Sequence, residues 1–210
     1  MEKGIFITFE GIDGCGKSTQ IRELVKHIFE KNKHNHIILT RNPYKDANIR
    51  KILTQDSDPH SQAEKLAEMF INDRINHTNE LIIPNLKAGR FVISDRYKLS
   101  TIAYQSAQGL DIKSLIERQS FLPIPDMCFI IDTSPEESSK RMKKEDVSIR
   151  GKEHKFESHL DFVKKLRENY HKSKELLPNE KIFIINGERS PEDISNEIKQ
   201  IFDKEIEKLN

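Results

Sequence analysis

Eight consecutive residues near the amino end, Gly11-Ile12-Asp13-Gly14-Cys15-Gly16-Lys17-Ser18, match G-x-x-x-x-G-K-[ST] at every fixed position. The pattern has physical meaning only between a strand and a helix, and both flanks are present. Ile5–Phe9 precede it as a continuous apolar run, and Ile21, Leu24, Val25, Ile28 and Phe29 follow at the spacing of one helix face. In that setting Gly11, Gly14 and Gly16 let successive backbone N–H groups turn inward around a phosphate, with Asp13, Cys15 and Thr19 completing the cradle. The helix N-terminus adds partial positive charge. Lys17 is expected to reach the β- and γ-phosphates of a nucleotide such as ATP, and the Ser18 hydroxyl to ligate its Mg²⁺. A glycine-rich turn that merely joins strand to helix is the competing reading.

The rest of the chain alternates in the same way. Further apolar runs at His36–Thr40, Phe91–Ser94, Met127–Asp132 and Lys181–Asn186 are continuous, as in strands of a parallel sheet covered on both faces. Between them lie helical patterns. One spans Ser61–Ala88 and should end or kink at Pro84. Another opens at Ser134-Pro135-Glu136-Glu137, a capping serine followed by proline and acids. Leu160, Val163, Leu166 and Tyr170 mark a third, and Ile194, Ile198, Ile201, Phe202 and Leu209 the last. This order predicts one α/β domain over residues 1–210, a three-layer α/β/α fold on a mostly parallel five-stranded sheet. Two stretches escape the pattern, Arg41–Asp58 and the charge-rich Lys143–Lys155, and both read as mobile loops. The second is the expected lid, at about residues 143–155.

Thirty-five basic residues against thirty-four acidic ones leave a net charge of +1, which argues against nucleic acid as a partner. No apolar run approaches the ~18 residues of a membrane span, and no leader peptide is apparent. Two cysteines, Cys15 and Cys128, cannot make a disulfide framework, and the eight histidines lack ligand spacing. A cytoplasmic protein is the expectation.

A second chemical signal follows the third strand, in Phe91-Val92-Ile93-Ser94-Asp95-Arg96-Tyr97. An acid at the carboxyl end of a parallel strand sits on the ligand-binding edge of the sheet. Asp95 is therefore expected to hold Mg²⁺ through water, with Arg96 facing the same crevice; the alternative is a surface ion pair. A GTPase switch would need N-K-x-D after a late strand. The only Asn-Lys pair, Asn32-Lys33, lies at the end of the first helix and continues His34-Asn35.

Three blocks together resemble thymidylate kinases: Phe9-Glu10-Gly11 through Gln20, Asp95-Arg96-Tyr97 through Gln105, and Pro125-Asp126-Met127 through Pro135-Glu136. The resemblance runs from about residue 5 to residue 170. It implies transfer of the γ-phosphoryl of Mg·ATP to dTMP, giving dTDP and ADP, and a homodimer. It also implies roles by position. Asp13 would contact the acceptor's deoxyribose, and Phe70 would stack on thymine. Arg74 would hydrogen-bond the base or the phosphate environment, and Arg96 would grip the monophosphate. Thr101, Tyr104 and Gln105 would line the thymine pocket, and Arg41 would add an acceptor-side cation. Without the resemblance, Phe70 and Tyr104 read as core and Arg74 as part of a solvated face.

The phosphate loop carries no arginine, so the resemblance is to the bacterial type, with catalytic cations in the lid. Lys143, Lys144, Arg150 and Lys152 are the candidates, Arg150 first, because charge spreading over the transferring oxygens must be met by preorganised cations. One position departs from the family. Where an acid precedes the proline after strand two, this chain has Arg41-Asn42-Pro43, and Asn42 supplies no charge. Another nucleoside-monophosphate kinase, a nucleotide-binding switch and a nucleic-acid-dependent ATPase remain as alternatives.

Overall fold

The computed structural model describes residues 4–144 and 159–209. Five strands, β1 (Ile5–Glu10), β2 (Ile37–Arg41), β3 (Phe91–Asp95), β4 (Met127–Asp132) and β5 (Ile182–Asn186), form one sheet in the order β2-β3-β1-β4-β5. Every pairing is parallel. In β1, β3 and β4 burial explains the unbroken apolar runs, since Ile7, Phe9, Ile93, Met127 and Phe129 are fully enclosed between helical layers. The edge strand β2, also read as covered on both faces, leaves Leu39 54% exposed. Truncating Phe9 to Ala at the centre of this sheet would cost about 3–5 kcal/mol.

The helices are α1 (Lys17–Lys31), α2 (Ala47–Gln55), α3 (Ala63–His77), α4 (Ile83–Lys87), α5 (Lys98–Ala107), α6 (Ile112–Glu117), α7 (Pro135–Lys144), α8 (Leu160–Leu176) and α9 (Pro191–Glu207). α5 packs on α8, and α1 on α9. Chain order and strand order diverge between β1 and β3. The connection leaving β1 runs outward to β2, whereas that leaving β3 crosses to β4 on the other side, which opens a crevice at their carboxyl ends.

Several sequence expectations are corrected. The second strand is Ile37–Arg41, one residue later than read, which makes Arg41 its last residue. Arg41–Asp58 is not one loop, since α2 occupies its middle. Asp46 caps that helix by accepting from Asn48 N (2.8 Å), and Ile49, Ile52 and Leu53 supply a short apolar stripe. The long helix read over Ser61–Ala88 is interrupted. α3 ends at His77, a widened turn covers Thr78–Ile82, and Pro84 falls in the first turn of α4, where its missing N–H costs nothing. Phe29 and Leu209, read as core-facing, are 49% and 44% exposed. Lys143 and Lys144 continue α7, so the stretch read as a loop from residue 143, the expected lid, begins as helix. Its remaining candidates, Arg150 and Lys152, lie outside the described residues.

Candidate active site

The phosphate loop bridges β1 and α1, and its backbone requires glycine. Gly11, Gly14 and Gly16 have φ of 131°, 75° and 103°, in the left-handed range. A Cβ on Gly11 would meet Ile131 O at 2.6 Å, so β4 approaches too closely for any side chain there. Lys17, 7% exposed, lies over the loop and donates to Gly11 O (3.1 Å) and Ile12 O (2.9 Å). Its ammonium thus crosses the cradle it is expected to serve. Ser18 is exposed at the start of α1, and Thr19 N donates to Gly16 O (3.1 Å). The Cys15 side chain is buried, so only its backbone faces the loop's surroundings; its carbonyl accepts from Arg141 Nη1 (3.4 Å).

The loop meets a cavity of about 320 Å³ at Asp13. β1 and β3 are in register there, Phe9 opposite Asp95, and Arg96 N donates to Phe9 O (2.8 Å). Arg96 is turned into the crevice by a left-handed backbone, φ 70°, which is costly for a residue with a Cβ. Its surroundings hold it: its carbonyl accepts from Ser94 Oγ (2.7 Å) and Asn42 Nδ2 (3.1 Å). The guanidinium then reaches Asp13 Oδ1 (2.5 Å), Tyr104 OH (3.1 Å), Ser100 Oγ (3.1 Å) and Tyr170 OH (3.3 Å). Desolvation alone would raise the Asp13 carboxyl, but Arg96 and Lys17 hold it far below the usual carboxylate range. Burial pushes both Tyr104 and Tyr170 upward, so each stays a neutral hydroxyl.

Beneath this layer Glu10 is fully enclosed. It accepts from Tyr97 N (2.8 Å) and Ser100 Oγ (2.5 Å), and burial raises its pKa despite those bonds and Arg96. Arg74 is also enclosed, with Nη1 on Gln119 Oε1 (2.6 Å) and its carbon 5.6 Å from the Tyr97 ring centre.

The cavity gathers the acceptor-side residues from separate elements: Asp13 from the loop, Arg41 from β2, Phe70 and Arg74 from α3, Asp95 and Arg96 from the end of β3. α5 adds Thr101, Tyr104 and Gln105. Lys17, Ser18 and Thr19 do not line it. Asp95 divides its oxygens. Oδ2 accepts from Arg41 Nη2 (2.8 Å), and Oδ1 is buried with no hydrogen-bond partner among the described residues. The fit to a metal-bearing nucleotide is thus good at the glycine cradle and at the exposed Ser18, and Asp95 retains one oxygen for a metal-bound water.

Sequence reading missed several participants. Arg50 and Ser100 also line the cavity, as does Asn42, which the sequence marked only as lacking the family's charge. Arg50 sits one residue after the buried Ile49 of α2, a placement available only once that helix is recognised. Glu10 lies inside the Phe9-Glu10-Gly11 block, yet its burial among hydroxyls has no local signal. Asn42 is ordered by His77: Nδ2 donates to His77 Nδ1 (3.1 Å), which leaves Nε2–H to donate to Thr40 Oγ (2.7 Å).

A parallel sheet ordered 2-3-1-4-5, with a glycine cradle on its first strand and an arginine-lined cavity beside it, defines a P-loop kinase fold. The family model described as thymidylate kinase matches residues 9–198. A probable thymidylate kinase of Thermococcus gammatolerans is 38% identical over 97% of this chain and 98% of its own length. One of Pyrococcus horikoshii is 36% identical over 97% and 98%. A thymidylate kinase of Carboxydothermus hydrogenoformans is 37% identical over 94% and 96%. The chain belongs to the thymidylate kinase family, whose members phosphorylate dTMP to dTDP using ATP.

Proposed function

We propose that this chain transfers the γ-phosphoryl of Mg·ATP to dTMP, with the donor on the phosphate loop and the acceptor in the cavity that meets it at Asp13. One observation carries the reading: Arg96, forced into a left-handed backbone, places its guanidinium between Asp13 and Tyr104 at the junction of loop and cavity. Positioning of this kind supplies much of the rate in phosphoryl transfer, because the acceptor is already a phosphate oxygen and needs no strong base.

In this reading Lys17 leaves the loop carbonyls for the donor's phosphates. Ser18 would hold Mg²⁺, with Asp95 as its water-mediated partner, and the ion would neutralise charge on the phosphates. Arg96 grips the acceptor phosphate with Arg41 nearby. Phe70 stacks on the base, Arg74 hydrogen-bonds it, and Thr101, Tyr104 and Gln105 bound the pocket. Tyr104, as a neutral hydroxyl, crowds the position of a ribose 2′-oxygen. The lid at about 143–155, the homodimer and the cytoplasmic setting belong to the same proposal. For the lid, Arg150→Ala should lower kcat more than it raises KM.

The test is ADP release with Mg·ATP against dTMP, dUMP, AMP, CMP, UMP and GMP. Stimulation by dTMP alone is expected. Stimulation by a different monophosphate would overturn the base pocket and keep the transfer chemistry, whereas none from all six would sink the kinase reading.

A further inference from the structure

Arg74 is an unusual cation: it is 1% exposed and forms no ion pair with a carboxylate among the described residues. The nearest acids are otherwise engaged. Asp73 accepts from the backbone N–H groups of Tyr44, Lys45 and Asp46, and Glu10 accepts from Tyr97 N and Ser100 Oγ. Arg74 has one hydrogen-bond partner among the described residues, the neutral amide of Gln119, and its Nε has none.

Gln119 is itself immobilised. It is 1% exposed, just beyond α6, and its Nε2 donates to Leu115 O (3.1 Å). That bond fixes which way the amide points, since only the NH₂ end can serve a carbonyl, and Oε1 must therefore face Arg74. A neutral acceptor can orient a guanidinium without consuming its charge. A carboxylate at the same place would bind it in a charge-assisted pair and compete with any ligand.

We propose that Gln119 is the positioning residue of the base pocket: it aims Arg74 into the cavity and leaves its charge for a carbonyl oxygen of the acceptor's base. The proposal rests on the reading that the cavity takes dTMP. Gln119 touches no substrate and acts only through Arg74.

Steady-state kinetics on the full chain, varying dTMP and ATP separately, test it alongside thermal melting. Gln119→Glu should raise KM for dTMP on the order of tenfold or more, the loss of a charged hydrogen bond to the base. KM for ATP should stay within about twofold, because the donor loop is untouched. The melting temperature should hold, since the counter-charge gained by a buried cation offsets the donor bond to Leu115 O that the carboxylate cannot make. Weaker acceptor binding in a protein no less stable is a signature that a merely structural glutamine does not give. Gln119→Met removes the bond without adding charge and should raise KM for dTMP in the same direction. It decides the matter should the glutamate variant not fold. In an Arg74→Met background Gln119→Met should change KM for dTMP no further. An unchanged KM for dTMP in the variants, or dTMP and ATP constants rising together with a lower melting temperature, would overturn the proposal. A wild-type chain that dTMP does not stimulate overturns the acceptor reading instead, before any variant is measured.

Discussion

The donor loop and the acceptor cavity solve opposite problems within one crevice. The loop is built from backbone: eight contiguous residues, three glycines in left-handed conformations and a lysine resting on the loop's own carbonyls. The cavity is built from side chains of the loop, β2, α2, α3, the end of β3 and α5. There Arg96 and Arg41 each meet a carboxylate, Asp13 and Asp95, whereas Arg74 meets the neutral amide of Gln119. A triphosphate offers many equivalent oxygens, so a ring of N–H groups suffices to hold it. A nucleoside monophosphate must be told from its relatives, which needs side chains fixed at particular points.

The largest effect should come from the cation of the donor loop. Lys17→Ala is expected to lower kcat roughly 10²–10³-fold, the scale for removing a preorganised donor to developing charge, with modest change in dTMP affinity measured by isothermal titration. Unchanged turnover would remove the loop from the mechanism. Arg96→Ala should follow, lowering kcat/KM for dTMP on the order of a hundredfold while KM for ATP holds. An effect confined to ATP would reverse the division between the two regions.

Glycine substitutions separate backbone strain from crowding. Gly11→Ala adds a Cβ 2.6 Å from Ile131 O and 2.9 Å from Cys15 Sγ, whereas the same atom on Gly16 meets nothing within 4 Å. Both take on left-handed strain of about 1–3 kcal/mol, so Gly11→Ala should melt at the lower temperature of the two. Equal melting temperatures would mean that β4 yields to the loop.

The acceptor side should carry a pH signature of its own. His77 faces Tyr44, Thr40 and Asn42, with Arg74, Asp73 and Glu80 acting on its charge. Burial first, then Arg74, lowers its pKa from 6.5 to about 4. The unfolded chain binds that proton near 6.5, so the stability from keeping the ring neutral is present above 6.5 and drains as pH falls toward 4. Chemical denaturation of His77→Gln should show a flatter pH dependence across that interval; an unchanged slope would place the titration elsewhere. The smallest effect belongs to Tyr104→Phe. It loses bonds to Asp13 (3.2 Å) and Arg96 (3.1 Å), for which about 1 kcal/mol in acceptor binding is expected.

Legibility in the sequence followed the same division. The donor loop could be read because all of its parts are contiguous and flanked by a strand and a helix. The acceptor residues came from resemblance in three blocks, and their residue types alone did not separate Phe70 or Tyr104 from ordinary core. α2 went unread because its stripe is only Ile49, Ile52 and Leu53, inside a stretch otherwise polar. The break at Thr78 was anticipated at Pro84, since proline is a visible punctuator and a widened turn is not.

By itself the sequence determined what depends on neighbours along the chain: the glycine cradle, the enclosed strands and the alternation that implies a parallel sheet. Only the tertiary structure decided which distant groups share a dielectric. Glu10 beneath Ser100 and Tyr170, Arg96 locked by Asn42, and Arg74 aimed by Gln119 all depend on polar groups buried together across separations of 45 to 160 residues. Such interactions gain their strength from exclusion of water, which no local pattern of residues records.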